Sequence, residues 1–132
     1  MNWPLAGTLA CLAVAAGLPA AAGSFAVPEP GAVILPDVTG EAALGQRAYA
    51  ARCASCHGEV ATGTEQGPPF LHPFYLPDHH GDRAFLIAAE SGVRAHHWRF
   101  GDMPPVEGIT RAEVKAVIAY VRALQQANGL ID

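Results

Sequence analysis

An all-α fold with three main helices is predicted, on three observations. Apolar residues recur at helical spacing in three separate segments, and no segment alternates apolar and polar residues as a half-buried strand would. The stretches between those segments are too rich in proline and glycine to be regular. With 132 residues the chain has room for one domain and little more, since a single core usually takes on the order of 100 residues.

The first helical segment covers residues 41–56 and is rich in alanine. Leu44, Ala48, Tyr49 and Cys53 follow one another at spacings of four, one and four, which puts them on one side of a helix. The second covers residues 82–92, where Asp82 stands as an N-cap and Phe85, Ala88, Ala89 and Gly92 recur with helical period. The third is the clearest. Thr110 and Glu113 have the spacing of a capping box, Val114, Val117, Ile118, Val121 and Leu124 make an apolar stripe, and Asn128-Gly129 ends it. Between the first two helices lie Gly67-Pro68-Pro69-Phe70 and a stretch from Pro73 to Pro77; between the last two lies Gly101-Asp102-Met103-Pro104-Pro105.

The amino-terminal part divides from this domain by composition. From Leu5 to Ala22 the chain is an uncharged Ala/Leu/Val run closing on small residues, which suits cleavage after Ala22, with Ala26 as an alternative. No Lys or Arg precedes the run, so an uncleaved anchor is the competing expectation, the run being near the about 18 residues that span a bilayer. A lipid-modified Cys11 is less favoured, because the apolar stretch before it is short. Residues 1–22 are thus expected to be a signal peptide or membrane anchor, and residues 23–40 a linker rich in proline and glycine. Val33-Ile34-Leu35 in that linker is expected to pack on the domain formed by residues 41–128.

All twelve acidic and eight basic residues lie beyond Ala22, giving the exported part a formal charge of −4. That balance argues against nucleic acid as a partner. It suits a protein partner with a basic docking face, or no more than solubility.

Of the three cysteines only Cys53 and Cys56 belong to the domain, so no disulfide framework is available beyond that pair. Cys53-Ala54-Ser55-Cys56-His57 has the spacing used for covalent haem c attachment. On a helix, residues three and four apart share a face, so two thiols and an imidazole meet one edge and one face of the macrocycle. Two other chemistries use such cysteines. A thioredoxin-type dithiol sits at a strand-to-helix junction, and no strand precedes Cys53; a structural zinc site needs about four ligands, and no second cysteine pair exists. Three helices with long loops also leave too little apolar surface for a full core, and one covalent haem would fill the centre.

An electron-carrying iron takes a second protein ligand. Apart from Met1 the only methionine is Met103, in a proline-bounded loop that is a poor setting for a core filler. A thioether opposite a histidine raises the potential. Met103 is therefore the expected sixth ligand, with a histidine as competitor.

These residues resemble class I c-type cytochromes. The first helix is similar through Gly45-x-x-x-Tyr49-x-x-x-Cys53-x-x-Cys56-His57-Gly58, and the last through Tyr120-Val121-x-x-Leu124. The resemblance spans about residues 41–124, and the cysteine motif is its specific part. It implies the cytochrome c fold, in which the first and last helices cross near Gly45 and Tyr120, with Tyr49 and Leu124 in the contact. It implies that the Pro68 carbonyl accepts a hydrogen bond from the His57 imidazole, and it likens Gly92-Val93 and Met103-Pro104 to the segment of the distal ligand. It also suggests that Trp98 donates its indole N–H to a haem propionate, plain packing being the alternative.

The function so implied is single-electron transfer by one haem c held by Cys53, Cys56, His57 and Met103, with His57 and Met103 on the iron and Pro68 and Trp98 as supporting contacts. The expected location is the bacterial periplasm or the periplasmic face of the inner membrane. Expected partners are other redox proteins: a dehydrogenase, an oxidase or another cytochrome. No catalytic residue is assigned, because such a protein holds and tunes its cofactor. Two other readings are a haem enzyme or the electron-transfer subunit of one, and a metal-handling protein.

The second of these draws on five histidines that the resemblance does not require: His72, His79, His80, His96 and His97. They flank the second helix, and a helix of about eleven residues holds its ends roughly 16 Å apart. Loop excursions would have to bring the pairs together. The plainer expectation is exposed or capping histidines, some hydrogen-bonded at the haem edge; the other is an accessory copper or zinc site or pH-dependent tuning near the haem.

Overall fold

A computed structural model describes residues 26–132, so the expectations for residues 1–22 lie outside the described residues. Four helices follow in order: α1 Gly40–Arg52, α2 Ala54–His57, α3 Asp82–Ser91 and α4 Arg111–Ala127. Short 3-10 turns occupy Pro30–Ala32 and Pro73–Tyr75. The described residues form no strand, only an isolated antiparallel bridge between Val93 and Met103. None of their helices is long and apolar enough to cross a membrane.

The expected first helix is broken into two at Cys53. That residue leaves helical geometry at φ −121°, ψ −34°, ends α1 by donating its N–H to the Tyr49 carbonyl at 2.8 Å, and accepts from the N–H of His57 at 2.9 Å. The joint separates a long packing helix from a single turn that carries Cys56 and His57.

α1 and α4 make the main contact of the domain. Their closest approach is set by Gly45. A Cβ built there would stand 1.7 Å from the Ala116 carbonyl oxygen, so the helices can touch backbone to backbone only with glycine in place. This is one turn before Tyr120, the crossing point the resemblance implied. Tyr120 instead packs against Tyr49, ring centroids 5.5 Å apart, in a core completed by Ala61, Phe70, Leu71, Val117, Val121 and Leu124. The buried side of α1 therefore runs through Gly45, Ala48, Tyr49 and Cys53, and Leu44, expected to share it, is exposed.

α4 forms as expected. The Thr110 hydroxyl accepts from the Glu113 N–H at 3.2 Å while the Glu113 carboxylate accepts from the Thr110 N–H at 2.8 Å, and all five stripe residues are buried. A second small cluster joins Val114 and Ile118 to Ala89 of α3, flanked by Phe85, Leu86, Val106 and Ile109. The start of α3 differs from expectation: Gly81 is the N-cap and makes no side-chain cap. Asp82 sits in the first turn, its carboxylate taken by Arg122, which donates from Nε at 3.0 Å and from Nη2 at 2.9 Å.

The linker lies against the domain, though by one residue of the expected three. Val33 packs on the core while Ile34 and Leu35 are exposed. The Asn128 side chain holds the Ile34 backbone, accepting from its N–H and donating to its carbonyl, both at 2.9 Å.

Candidate functional site

A cavity of about 530 Å³ opens between the α2 turn, α3 and the segment that bridges α3 to α4. Its lining includes Cys56 and His57 of the α2 turn, Phe85, Ile87 and Ala88 of α3, and Val93, Trp98 and Met103 of the segment that follows α3. That volume lies within the about 300–1,000 Å³ that takes a cofactor-sized ligand. The side chains named are mostly apolar, as a planar tetrapyrrole requires.

The proximal wall is built from a loop folded onto α2. The Tyr49 hydroxyl donates to the Gly58 carbonyl at 2.7 Å, the Thr64 hydroxyl to the Cys56 carbonyl at 2.6 Å, and the N–H groups of Phe70 and Leu71 both reach the Ala61 carbonyl. Ala61 is fully buried and adopts φ +62°, a left-handed conformation that a side chain rarely takes. The loop thereby delivers Pro68 and Phe70 to His57. The His57 Nδ1 lies 2.9 Å from the Pro68 carbonyl; a carbonyl only accepts, so Nδ1 carries the proton and Nε2 keeps its lone pair for a metal. Phe70 stacks on the same imidazole at 4.2 Å and 22°. Burial holds His57 below its ordinary pKa, which favours the neutral, ligating form.

Cys53 and Cys56 are free thiols. Burial, and then the neighbouring Cys56, push the Cys53 thiol up to about 11. A redox dithiol needs a lowered thiol, and no strand leads into the pair, so the thioredoxin alternative lacks both of its requirements. Cys56 lines the cavity, and Cys53, half-buried, packs against the core beside it.

Met103 lines the same cavity, on a hairpin closed by two hydrogen bonds: the Val93 N–H to the Met103 carbonyl and the Met103 N–H to the Val93 carbonyl, each 2.9 Å. The hairpin leaves α3 at Gly92, which has φ +77°, and a Cβ there would stand 2.6 Å from the Met103 carbonyl. Trp98 also lines the cavity, with its indole N–H given to the Tyr75 hydroxyl at 3.1 Å. A propionate would share that donor with Tyr75.

Two polar residues essential to this arrangement were not read from the sequence. Gln125 is fully buried in α4 and donates to the carbonyls of Phe70 at 2.9 Å and Tyr75 at 3.0 Å. Arg122 donates to the carbonyls of Tyr75 at 2.6 Å and His80 at 3.0 Å, and its guanidinium lies over the Phe85 ring. Together they pin the loop of residues 70–80 to α4. The available signal was an arginine directly after Val121 and a glutamine directly after Leu124, where the stripe would otherwise continue.

The histidines do meet. His79 and His97 approach to 3.3 Å between Nε2 atoms, and His80 and His96 to 3.5 Å. The end-to-end separation of α3 is cancelled because the hairpin after Gly92 turns back along the helix. His72 lies apart from the two pairs, edge-on to Trp98 and Phe74.

Comparison with known proteins gives one family: the model described as Cytochrome c matches residues 42–125. No curated protein and no solved structure matches the chain.

Proposed function

The chain belongs to the cytochrome c family, carries covalently bound haem c and transfers electrons, and on that premise we propose a His/Met-ligated carrier that passes single electrons between exported redox proteins. Haem supplies the one-electron Fe(III)/Fe(II) couple. Cys53 and Cys56 would hold it as thioethers, and His57 and Met103 would be its iron ligands. The observation that carries this reading is that Cys56, His57 and Met103 line one apolar cavity, with the His57 Nδ1–H fixed on Pro68.

Each residue has a defined task. The Pro68 carbonyl sets the imidazole tautomer and orientation and makes Nε2 a better donor. Phe70 blocks rotation of the ring and excludes water from its face. The Val93–Met103 bridge fixes the backbone that carries the Met103 thioether, so it would hold that side chain against a bound haem. Trp98 and Tyr75 offer an N–H and a hydroxyl to a propionate. The formal charge of −4 favours a partner with a basic face, such as a dehydrogenase, an oxidase or another cytochrome. Export to the periplasm, with or without a membrane tether, rests on the character of residues 1–22.

Spectroscopy of purified holoprotein tests the reading. The reduced protein is expected to give sharp low-spin bands, and the haem to stay with the polypeptide through acid-acetone extraction. Extractable haem would refute the attachment; a native reduced protein that binds carbon monoxide rapidly would refute Met103 as ligand and favour an open-site enzyme.

A further inference from the structure

We infer that His79, His80 and His97 form a second metal site, for a borderline divalent transition ion, with Cu²⁺ held most tightly. One potential ligand nitrogen from each of the three lies within 4.8 Å of the other two. Imidazole nitrogens about 2.0–2.1 Å from a tetrahedral ion stand roughly 3.3 Å from one another, and His79 Nε2 is 3.3 Å from His97 Nε2. That pair already has the separation of two ligands, and His80 has only to close from within 4.8 Å.

The tautomers point the same way. His80 Nδ1 is hydrogen-bonded to the Phe74 carbonyl, and His96 Nδ1 lies 2.8 Å from the Arg94 carbonyl. Carbonyls only accept, so both rings carry a proton on Nδ1, and Nε2 is the nitrogen each can offer to an ion. Those two Nε2 atoms approach to 3.5 Å. The carbonyl partners are also the outer contacts that orient metal-bound histidines.

The cluster is also built to stay assembled. His79 and His80 cap a turn on the Leu76 carbonyl, at 3.0 and 2.9 Å, and Arg122 holds the His80 carbonyl from α4. The Phe74 ring stacks on His97 at 4.3 Å and on His79 at 5.5 Å. From the other side the Ala95 N–H donates to Asp102 at 2.8 Å, tightening the hairpin that presents His96 and His97. An all-imidazole site suits copper, zinc, iron or nickel, and among divalent first-row ions copper binds tightest. His80 and His97 line the same cavity as His57 and Met103, so the ion would sit at the edge of the haem cleft.

The test uses ferric holoprotein purified without an affinity tag and stripped with a chelator, titrated calorimetrically with Cu²⁺ and separately with Zn²⁺. One Cu²⁺ per chain is expected, with nitrogen hyperfine structure in its electron paramagnetic resonance spectrum and weaker binding of Zn²⁺. The double variant His79→Gln/His97→Gln should weaken Cu²⁺ by more than the about 10–100-fold that loss of an outer contact alone costs. His79 is exposed, so the single variant His79→Gln reports the same loss if the double variant does not fold. Absence of uptake of either ion overturns the inference and leaves a cluster that only shares protons. Uptake that survives in these variants overturns it as well, by placing the ion elsewhere.

Discussion

Gly45 lies so close to Ala116 that a single added methyl would stand 1.7 Å from the Ala116 carbonyl oxygen. Overpacking a tight contact costs about 1–3 kcal/mol, occasionally more, and here the obstacle is backbone that cannot rotate away. Gly45→Ala is therefore expected to lower stability by at least about 2 kcal/mol, read as a reduced denaturant midpoint of the holoprotein. An unchanged midpoint would mean that the α1–α4 crossing is set elsewhere.

Met103→Ala removes the thioether and leaves the wall of the cavity otherwise intact. The reduced variant should bind carbon monoxide readily where the parent does not. Its potential should fall by on the order of 100 mV, within the about 0.8 V that axial ligands span. A spectrum and potential identical to the parent would transfer the distal role to a histidine.

Gln125→Leu keeps the volume and strips the Phe70 carbonyl of its side-chain donor, while the Tyr75 carbonyl keeps Arg122. Leaving buried acceptors unsatisfied costs about 1–3 kcal/mol, so the midpoint should drop by a corresponding amount. The loop bearing Phe70 should also loosen, seen as faster amide exchange at Phe70 and Leu71, whose N–H groups both bond to Ala61.

Thr110→Ala deletes the hydroxyl that accepts from the Glu113 N–H. Loss of such a cap costs about 1 kcal/mol, and calorimetric melting should report it as a lower Tm with haem binding retained.

Glu90 is held below the usual carboxylate range by its paired hydrogen bonds from Arg111, at 2.7 and 2.9 Å. A carboxylate lowered on folding adds stability above its unfolded pKa and loses it as the pH falls through the folded value. The difference in Tm between the parent and Glu90→Gln should therefore be small but present at neutral pH, shrink in high salt, and vanish in acid below the carboxylate range. The pair is exposed, so a large difference at neutral pH would contradict the ordinary weakness of surface ion pairs.

The sequence was most legible where structure follows from neighbours in the chain. The capping box at Thr110 and Glu113 and the stripe from Val114 to Leu124 are local patterns, and each appears in place, whereas the helix expected to carry Cys53 through His57 is broken at Cys53. Leu44 misled because hydrophobicity marks large apolar residues, whereas the contact was made by Gly45, whose contribution is the absence of a side chain. Asp82 had the chemistry of a cap but its carboxylate was claimed by Arg122, forty residues away in sequence. Gln125 and Arg122 escaped for the same reason: their partners are loop carbonyls, which carry no residue-type signature. The histidine pairs were separated on paper by the length of α3, because the return path of the hairpin depends on the Val93–Met103 bridge and on the positive φ at Gly92.

Asn128 clasps the backbone of Ile34 from the end of α4, and Ala26 and Pro28 border the same small hollow as Gly129 and Leu130. Both ends of the folded domain thus emerge at one corner. A fusion partner, a surface linkage or a lipid anchor attached at either end would hang the protein from the same point. Immobilising it by its carboxyl terminus on an electrode should therefore present the orientation that an anchor ahead of residue 26 would impose.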